Sequence, residues 1–361
     1  MNRPATYNFS AGPAMLPPAV IERLRADLPD YHGLGLSVME LSHRSPPFDE
    51  VAERSEAAFR RLLGLDDDWA VLFLAGGATQ QFSVVPMNLA TPDRPGAYVL
   101  SGHWGRKALR AAERLGRGVL LASSEAEGFI EVPARERWRA PRALSYVHVT
   151  SNETLAGVQC HDWPEPPAPL VADMSSDLLA RVFDPGPYLA FYASAQKNLG
   201  QAGITVVAVR REALHDDLPG VPELFHYALQ ARQGSRLNTP PSFAWYVAGL
   251  VFDWVEGEGG VPEMQRRAEA RSGRLYSVID ASGLYRNRVP PRFRSTMNVH
   301  FDLDVPDLEP RFLEAAAEEG FVGLRGHREL GGIRASLYNA MPRAGAEALA
   351  AFMVEFERRH G

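Results

Sequence analysis

From residue 69 to residue 210 the chain repeats one pattern: a short run of consecutive apolar residues, then a turn or a helical segment. The runs are WAVLFLA, GAYVLSG, RGVLLAS, ALSYVHVT, PLVADMS, LAFYAS and GITVVAVR, and between the first three stand GGATQQFSVVPMNL and HWGRKALRAAERLG. They are continuous rather than alternating. A strand with no polar face has no side to give to water, so these runs predict a mostly parallel sheet covered by helices on both faces. That is an α/β domain. Upstream, PPAVIERLRADL predicts a helix, with Pro17-Pro18 at its start and Val20, Leu24 and Leu28 at four-residue spacing. Asp49 to Leu63 predicts another, with acidic residues in its first turn, where they suit the helix dipole.

At 361 residues the chain exceeds the roughly 250–300 residues at which one hydrophobic core stops growing, so two domains are expected. The Gly-rich stretch EGEGGVP at 256–262, after an aromatic-rich helix over 242–255, is the expected boundary. Beyond it the pattern predicts a helix over 262–280, strand STMNVHFDL, helix DLEPRFLEAAAEEG, short strand FVGL, strand GIRASLY and a helix over 343–359. The expected division is a large α/β domain over 16–256 and a smaller α+β domain over 257–361, joined by the N-terminal segment 1–15.

Charge and cysteine usage exclude several classes. A net charge of −6 repels polyanions, so no nucleic acid is expected. The single cysteine, Cys160, permits no internal disulfide, and no His/Cys spacing suggests a metal site. The N-terminus MNRPATYNFSAGPAM lacks the apolar core of a secretory signal, and no apolar stretch reaches the roughly 18–20 residues that span a bilayer. A cytoplasmic protein without a membrane partner is expected.

The stretch ASAQKNLG sets Lys197 among small residues directly after an apolar run. Burial lowers a lysine's pKa from about 10.4 and frees the neutral amine that attacks a carbonyl. Taken alone, the stretch fits better a strand-end lysine that snorkels to water. Upstream, PLVADMSS ends an apolar run in Asp173. Neighbouring parallel strands would bring this acid and amine to one crevice, and a pyridoxal phosphate site requires both: lysine for the aldehyde, carboxylate for the ring nitrogen. A helix N-cap is the other reading of Asp173. GGATQQ follows a strand and opens a helix, where free N–H groups favour a phosphate, yet it matches neither the P-loop nor the dinucleotide fingerprint. Trp104, in SGHWGRK, reads either as a stacking partner for a flat ring or as a core residue.

SAGPAML at 10–16, SVMELSHRS at 37–45, Asp173, SAQKNLG at 194–200, LNTPPSFAWY at 237–246, GHRELGGIRASLYNAMP at 326–342 and the C-terminal FMVEFERRHG follow one another in the order of a known family. From end to end the chain resembles the phosphoserine aminotransferases, of the class V aminotransferase family. The resemblance implies the aspartate-aminotransferase type of fold, pyridoxal-phosphate fold type I, with a mostly parallel seven-stranded sheet in its large domain. It implies a homodimer with shared active sites that exchanges an amino group between L-glutamate and 3-phosphohydroxypyruvate. The products are O-phospho-L-serine and 2-oxoglutarate, in serine biosynthesis, with 4-phosphohydroxythreonine formation in vitamin B6 synthesis as a second use.

By the same resemblance Lys197 is the Schiff-base lysine, Asp173 the partner of the ring nitrogen and Trp104 the stacking residue. Ala78, Thr79, Thr154 and Gln196 match positions around the cofactor's phosphate and ring hydroxyl, and Asn238 and Thr239 match a pair that reaches the phosphate from the neighbouring subunit. His43, Arg44, His327 and Arg328 match the substrate's cations, with Arg334 as the carboxylate clamp. Some members carry arginine where this chain has Thr79 and serine where it has Ala11. The competing readings are an alanine–glyoxylate-type aminotransferase, a cysteine desulfurase, for which Cys160 just beyond a strand is poorly placed, and a non-catalytic scaffold.

Overall fold

The computed structural model describes residues 6–140 and 143–361. Each of the seven apolar runs forms a strand: β1 Trp69–Ala75, β2 Gly96–Leu100, β3 Gly118–Ser123, β4 Tyr146–Thr150, β5 Leu170–Asp173, β6 Tyr188–Ser194 and β7 Ile204–Arg210. They make one sheet in the order β1-β7-β6-β5-β4-β2-β3. All neighbours are parallel except β7, which runs antiparallel to both β6 and β1. The connection from β6 to β7, residues 195–203, is shorter than the dozen or so residues a parallel crossover needs.

Alternation along β1 shows why the runs lack polar positions. Trp69, Val71 and Phe73 enter one core, shared with the helices Pro18–Asp27, Pro46–Leu63 and Ser242–Gly257; Ala70, Leu72 and Leu74 enter the other, under the helices Ala78–Leu89, His103–Arg114 and Tyr227–Arg232. Both faces are buried, so every position is apolar. Trp245 stacks on Phe73 with ring centroids 4.4 Å apart, which seats the aromatic helix on the sheet. The helix expected from Asp49 begins earlier, at Pro46, because proline suits the first turn.

A separate core holds Phe9, Leu275, Phe301, Phe312, Ile333, Leu349 and Phe356. It lies between the antiparallel strands Tyr285–Arg286, Asn298–Leu303 and Ile333–Ser336 and the helices Glu309–Glu318 and Arg343–His360. The N-terminal strand Tyr7–Asn8 pairs in parallel with Phe321–Val322 and so attaches to this unit. Gly259 and Gly260, with φ of +104° and +74°, make the turn between the helices Ser242–Gly257 and Gly260–Ala281. The change of core comes later, inside the second helix: Val261 and Met264 pack in the large core, Leu275, Val278 and Ile279 in the small one.

Phe312 is fully buried and meets Tyr285, Phe301, Phe352 and Phe356 edge-on. Its replacement by alanine is expected to cost about 3–5 kcal/mol in urea unfolding. A loss below about 1 kcal/mol would show that this ring does not hold the small core together.

No helix among the described residues is long and apolar enough to cross a membrane.

Candidate active site

The carboxyl ends of β4, β5 and β6 converge, and in the sheet Asp173 stands beside Thr150 on one side and Tyr192 on the other. A crevice outside such strand ends is where ligands of parallel sheets collect. Here it is a cavity of about 360 Å³ whose walls include Ala78, Thr79, Trp104, Thr154, Asp173, Gln196, Lys197, His327 and Arg334. That volume suits a small cofactor.

Lys197 follows β6 by one short turn and is half-buried. Its Nζ donates to Thr154 Oγ1 at 2.8 Å, so the amine is held in the cavity wall instead of extending to bulk water. Asp173 is buried, and its Oδ1 accepts the Ser175 N–H at 2.9 Å. Burial pushes the Asp173 carboxyl above its ordinary range, against the opposing pull of the Ser175 hydroxyl and N–H and of Lys197. Such a carboxylate is costly until a cation sits against it.

The Gly-Gly turn does open a helix, Ala78–Leu89, whose N-cap Gly77 supplies no side-chain cap. Its first amides therefore face the cavity end without an internal partner, in a field that favours an anion. Trp104 is half-buried in the first turn of His103–Arg114, and its Nε1 is buried without a hydrogen-bond partner. Below it lies Glu153, 1% exposed, which accepts the Trp104 N–H at 3.0 Å and the Gly105 N–H at 2.8 Å. Burial pushes the Glu153 carboxyl up to about 7, while the amides of Gly105 and Trp104 draw it down.

On the small-unit side, Arg334 stands in the strand Ile333–Ser336, opposite His300. It is buried, its Nε has no partner, and burial lowers its pKa below the ordinary arginine value. A guanidinium in that condition is a site for a carboxylate. His327 enters the cavity from the neighbouring loop, which is tied across the mouth by Glu329 Oε2 on His103 Nδ1 at 2.7 Å.

The remaining expected residues do not line this cavity. Arg328, next to His327, is exposed and is not among the residues that line the cavity. His43 and Arg44 precede the helix Pro46–Leu63 and are not among the residues that line the cavity. Of His43, Arg44, His327 and Arg328, His327 alone lines the cavity. Asn238 and Thr239 are exposed near the same segment: Arg236 pairs with Asp49 and reaches the His43 carbonyl at 3.4 Å. Conversely, Thr150, Asn152, Ser175, Ser176 and Ser194 line the cavity without having been singled out for it. All of them sit at or just past strand ends. The chain also holds only two lysines, Lys107 and Lys197, among 38 basic residues, and Lys107 is exposed over the Trp104 ring.

The family described as Aminotransferase class-V matches residues 6–349. The chain belongs to the class V aminotransferases. It is 47% identical over 357 residues to the phosphoserine aminotransferase of Stenotrophomonas maltophilia (strain K279a), covering 98% of this chain and 99% of that one. It is 48% identical to that of Laribacter hongkongensis (strain HLHK9), with the same coverage of 98% and 99%. A solved phosphoserine aminotransferase, studied for radiation damage of its Schiff base, superposes with a TM-score of 0.97 at 41% identity, covering 99% of this chain and 100% of that chain. As a class V aminotransferase the protein is a pyridoxal-phosphate-dependent transaminase. Its cavity fits that cofactor on four counts: a buried carboxylate lacking a cation, an amine, an indole with a free N–H, and an uncapped helix N-terminus.

Proposed function

We propose that this aminotransferase exchanges the amino group of L-glutamate with 3-phosphohydroxypyruvate, giving O-phospho-L-serine and 2-oxoglutarate, in serine biosynthesis in the cytoplasm. The observation that carries this reading is Arg334, a buried guanidinium with a free Nε, in the same cavity as Lys197 and Asp173. Full-length similarity to phosphoserine aminotransferases favours it over an alanine–glyoxylate-type activity.

Lys197 Nζ would hold the cofactor between turnovers and, when its amine is free, would accept the proton of the substrate's α-carbon and give it back. Bound pyridoxal phosphate supplies an electron sink for that carbon. Asp173 keeps the ring nitrogen protonated, Trp104 covers the ring face, and Ala78, Thr79, Thr154 and Gln196 hold its phosphate and hydroxyl. Arg334 grips the α-carboxylate common to both substrates, while His327 and Arg328 face the substrate's phosphate.

In this reading two chains form a homodimer. His43, Arg44, Asn238 and Thr239, which do not line their own chain's cavity, then complete the neighbour's site. The large cofactor-binding domain is read as 16–256 and the small one as 257–361 with 1–15, the helix Gly260–Ala281 starting on the large core through Val261 and Met264 and ending on the small one. The second phosphorylated keto acid, that of vitamin B6 synthesis, presents the same phosphate and carboxylate. No nucleic acid or membrane enters the reaction.

The test compares 3-phosphohydroxypyruvate with hydroxypyruvate. The loss of the phosphate is expected to lower kcat/KM by at least about 100-fold, since the cations that face it lose their charged partner. Equal values would exclude a phosphate-specific site. Arg334→Lys, measured alongside, is expected to raise KM for glutamate and for the keto acid together, because lysine cannot make the bidentate grip.

A further inference from the structure

We propose that Glu153 is a positioning residue for the cofactor site: it fixes the indole of Trp104 by holding the first amides of that helix, while the adjacent Thr154 holds Lys197. This rests on the reading of Trp104 as the ring-covering residue. Glu153 does not line the cavity, so it acts through its neighbours.

The segment SNETLAG is built to aim three successive side chains in three directions. Asn152–Glu153 pairs antiparallel with Val158–Gln159 across a tight turn that the Gly157 N–H closes onto the Glu153 carbonyl at 3.0 Å. Gly157 has φ +72°, and a Cβ there would lie 2.3 Å from the Asn298 carbonyl oxygen, so the turn is pinned against the small unit. From this hairpin Asn152 Nδ2 donates to Ser176 Oγ at 2.8 Å and to Asn298 Oδ1 at 2.7 Å. Thr154 Oγ1 accepts from Lys197 Nζ at 2.8 Å. Between them Glu153 accepts from Trp104 and Gly105. One rigid dipeptide thus sets the relative position of the amine and the indole.

The helix His103–Arg114 has no cap of its own, since Gly102 offers no side chain. That glycine is extended, with φ 174°, so its backbone does not require glycine. Space does: a Cβ at Gly102 would lie 2.4 Å from the Glu153 carboxyl carbon. A serine or aspartate at the N-cap would satisfy the same amides near the surface without burying a carboxylate. The chain instead brings an acid from a distant hairpin and clears room for it. Capping alone explains neither choice, whereas registration of Trp104 to Thr154 and Lys197 explains both.

The experiment uses the holoenzyme and its variants Glu153→Gln, Glu153→Asp and Trp104→Phe. Glutamine keeps the shape but sets an NH₂ against one of the two amides. Glu153→Gln is expected to raise the pyridoxal phosphate dissociation constant about 10-fold and to diminish the visible circular dichroism of the bound cofactor. Glu153→Asp, too short to reach both amides, is expected to do the same. Should either variant not fold, Gly102→Ala, which displaces the carboxylate without removing it, is read by the same two measurements. Unchanged affinity and dichroism in the Glu153 variants, with both altered in Trp104→Phe, would overturn the role of Glu153 alone. No change in Trp104→Phe would overturn the reading of Trp104, and this proposal with it.

Discussion

Replacing Lys197 with alanine is expected to slow the half-reaction with L-glutamate by at least on the order of 10⁴-fold, since in the proposed mechanism one group supplies both the covalent anchor and the general base. Stopped-flow absorbance of the bound cofactor on mixing with glutamate measures it directly. The fold is expected to survive. Lys197 is half-buried and its amine makes one hydrogen bond, to Thr154, so truncation leaves no buried charge and a cavity already present becomes slightly larger. A variant that reacts with glutamate at the parental rate would remove Lys197 from the chemistry.

The second large effect is expected at Asp173. Asparagine keeps the shape and the acceptor for the Ser175 N–H, and removes the charge. If Asp173 is the proposed partner of the ring nitrogen, loss of its negative charge is expected to lower kcat on the order of 10²–10³-fold, the scale of removing one preorganised electrostatic partner. Stability is expected to move the other way. Burial already raises the pKa of Asp173, which means that its ionised form costs free energy in the fold, and the neutral amide escapes that cost. An Asp173→Asn variant should therefore unfold at no lower temperature than the parent while losing activity. Loss of both together would mark Asp173 as a structural acid.

The sheet was legible because its strands are buried on both faces, which leaves an unbroken apolar signature in each of seven runs. Strand direction was less so: β7 is as apolar as its neighbours, and only the short link after Lys197 gives away its antiparallel course. The Gly-rich turn at 259–260 was visible, but the handover between cores falls on Val261, Met264 and Leu275 within one continuous helix, where periodicity does not change.

At the site, Asp173 and Lys197 could be read because each ends an apolar run on adjacent strands. Glu153 could not. Its partners lie 48 and 49 residues away, and an acid between Asn152 and Thr154 looks in sequence like any polar turn residue. His43, Arg44, Asn238 and Thr239 carry no periodic signal either, and within one chain they do not line the cavity. The scarcity of lysine was the one further signal in the sequence: a chain that meets nearly all its need for cations with arginine retains lysine at 107 and 197 only.

That scarcity makes a direct measurement decisive. The holoenzyme is treated with borohydride, which fixes a lysine-bound aldehyde cofactor, then digested and mapped by mass spectrometry. With Lys197 as the anchor, the added mass falls on the peptide containing ASAQKNLG in stoichiometric amount, and the Lys107 peptide stays unmodified. Label on Lys107, or a fully active enzyme with neither lysine labelled, would contradict the assignment of the cavity at the ends of β4, β5 and β6 as the catalytic centre.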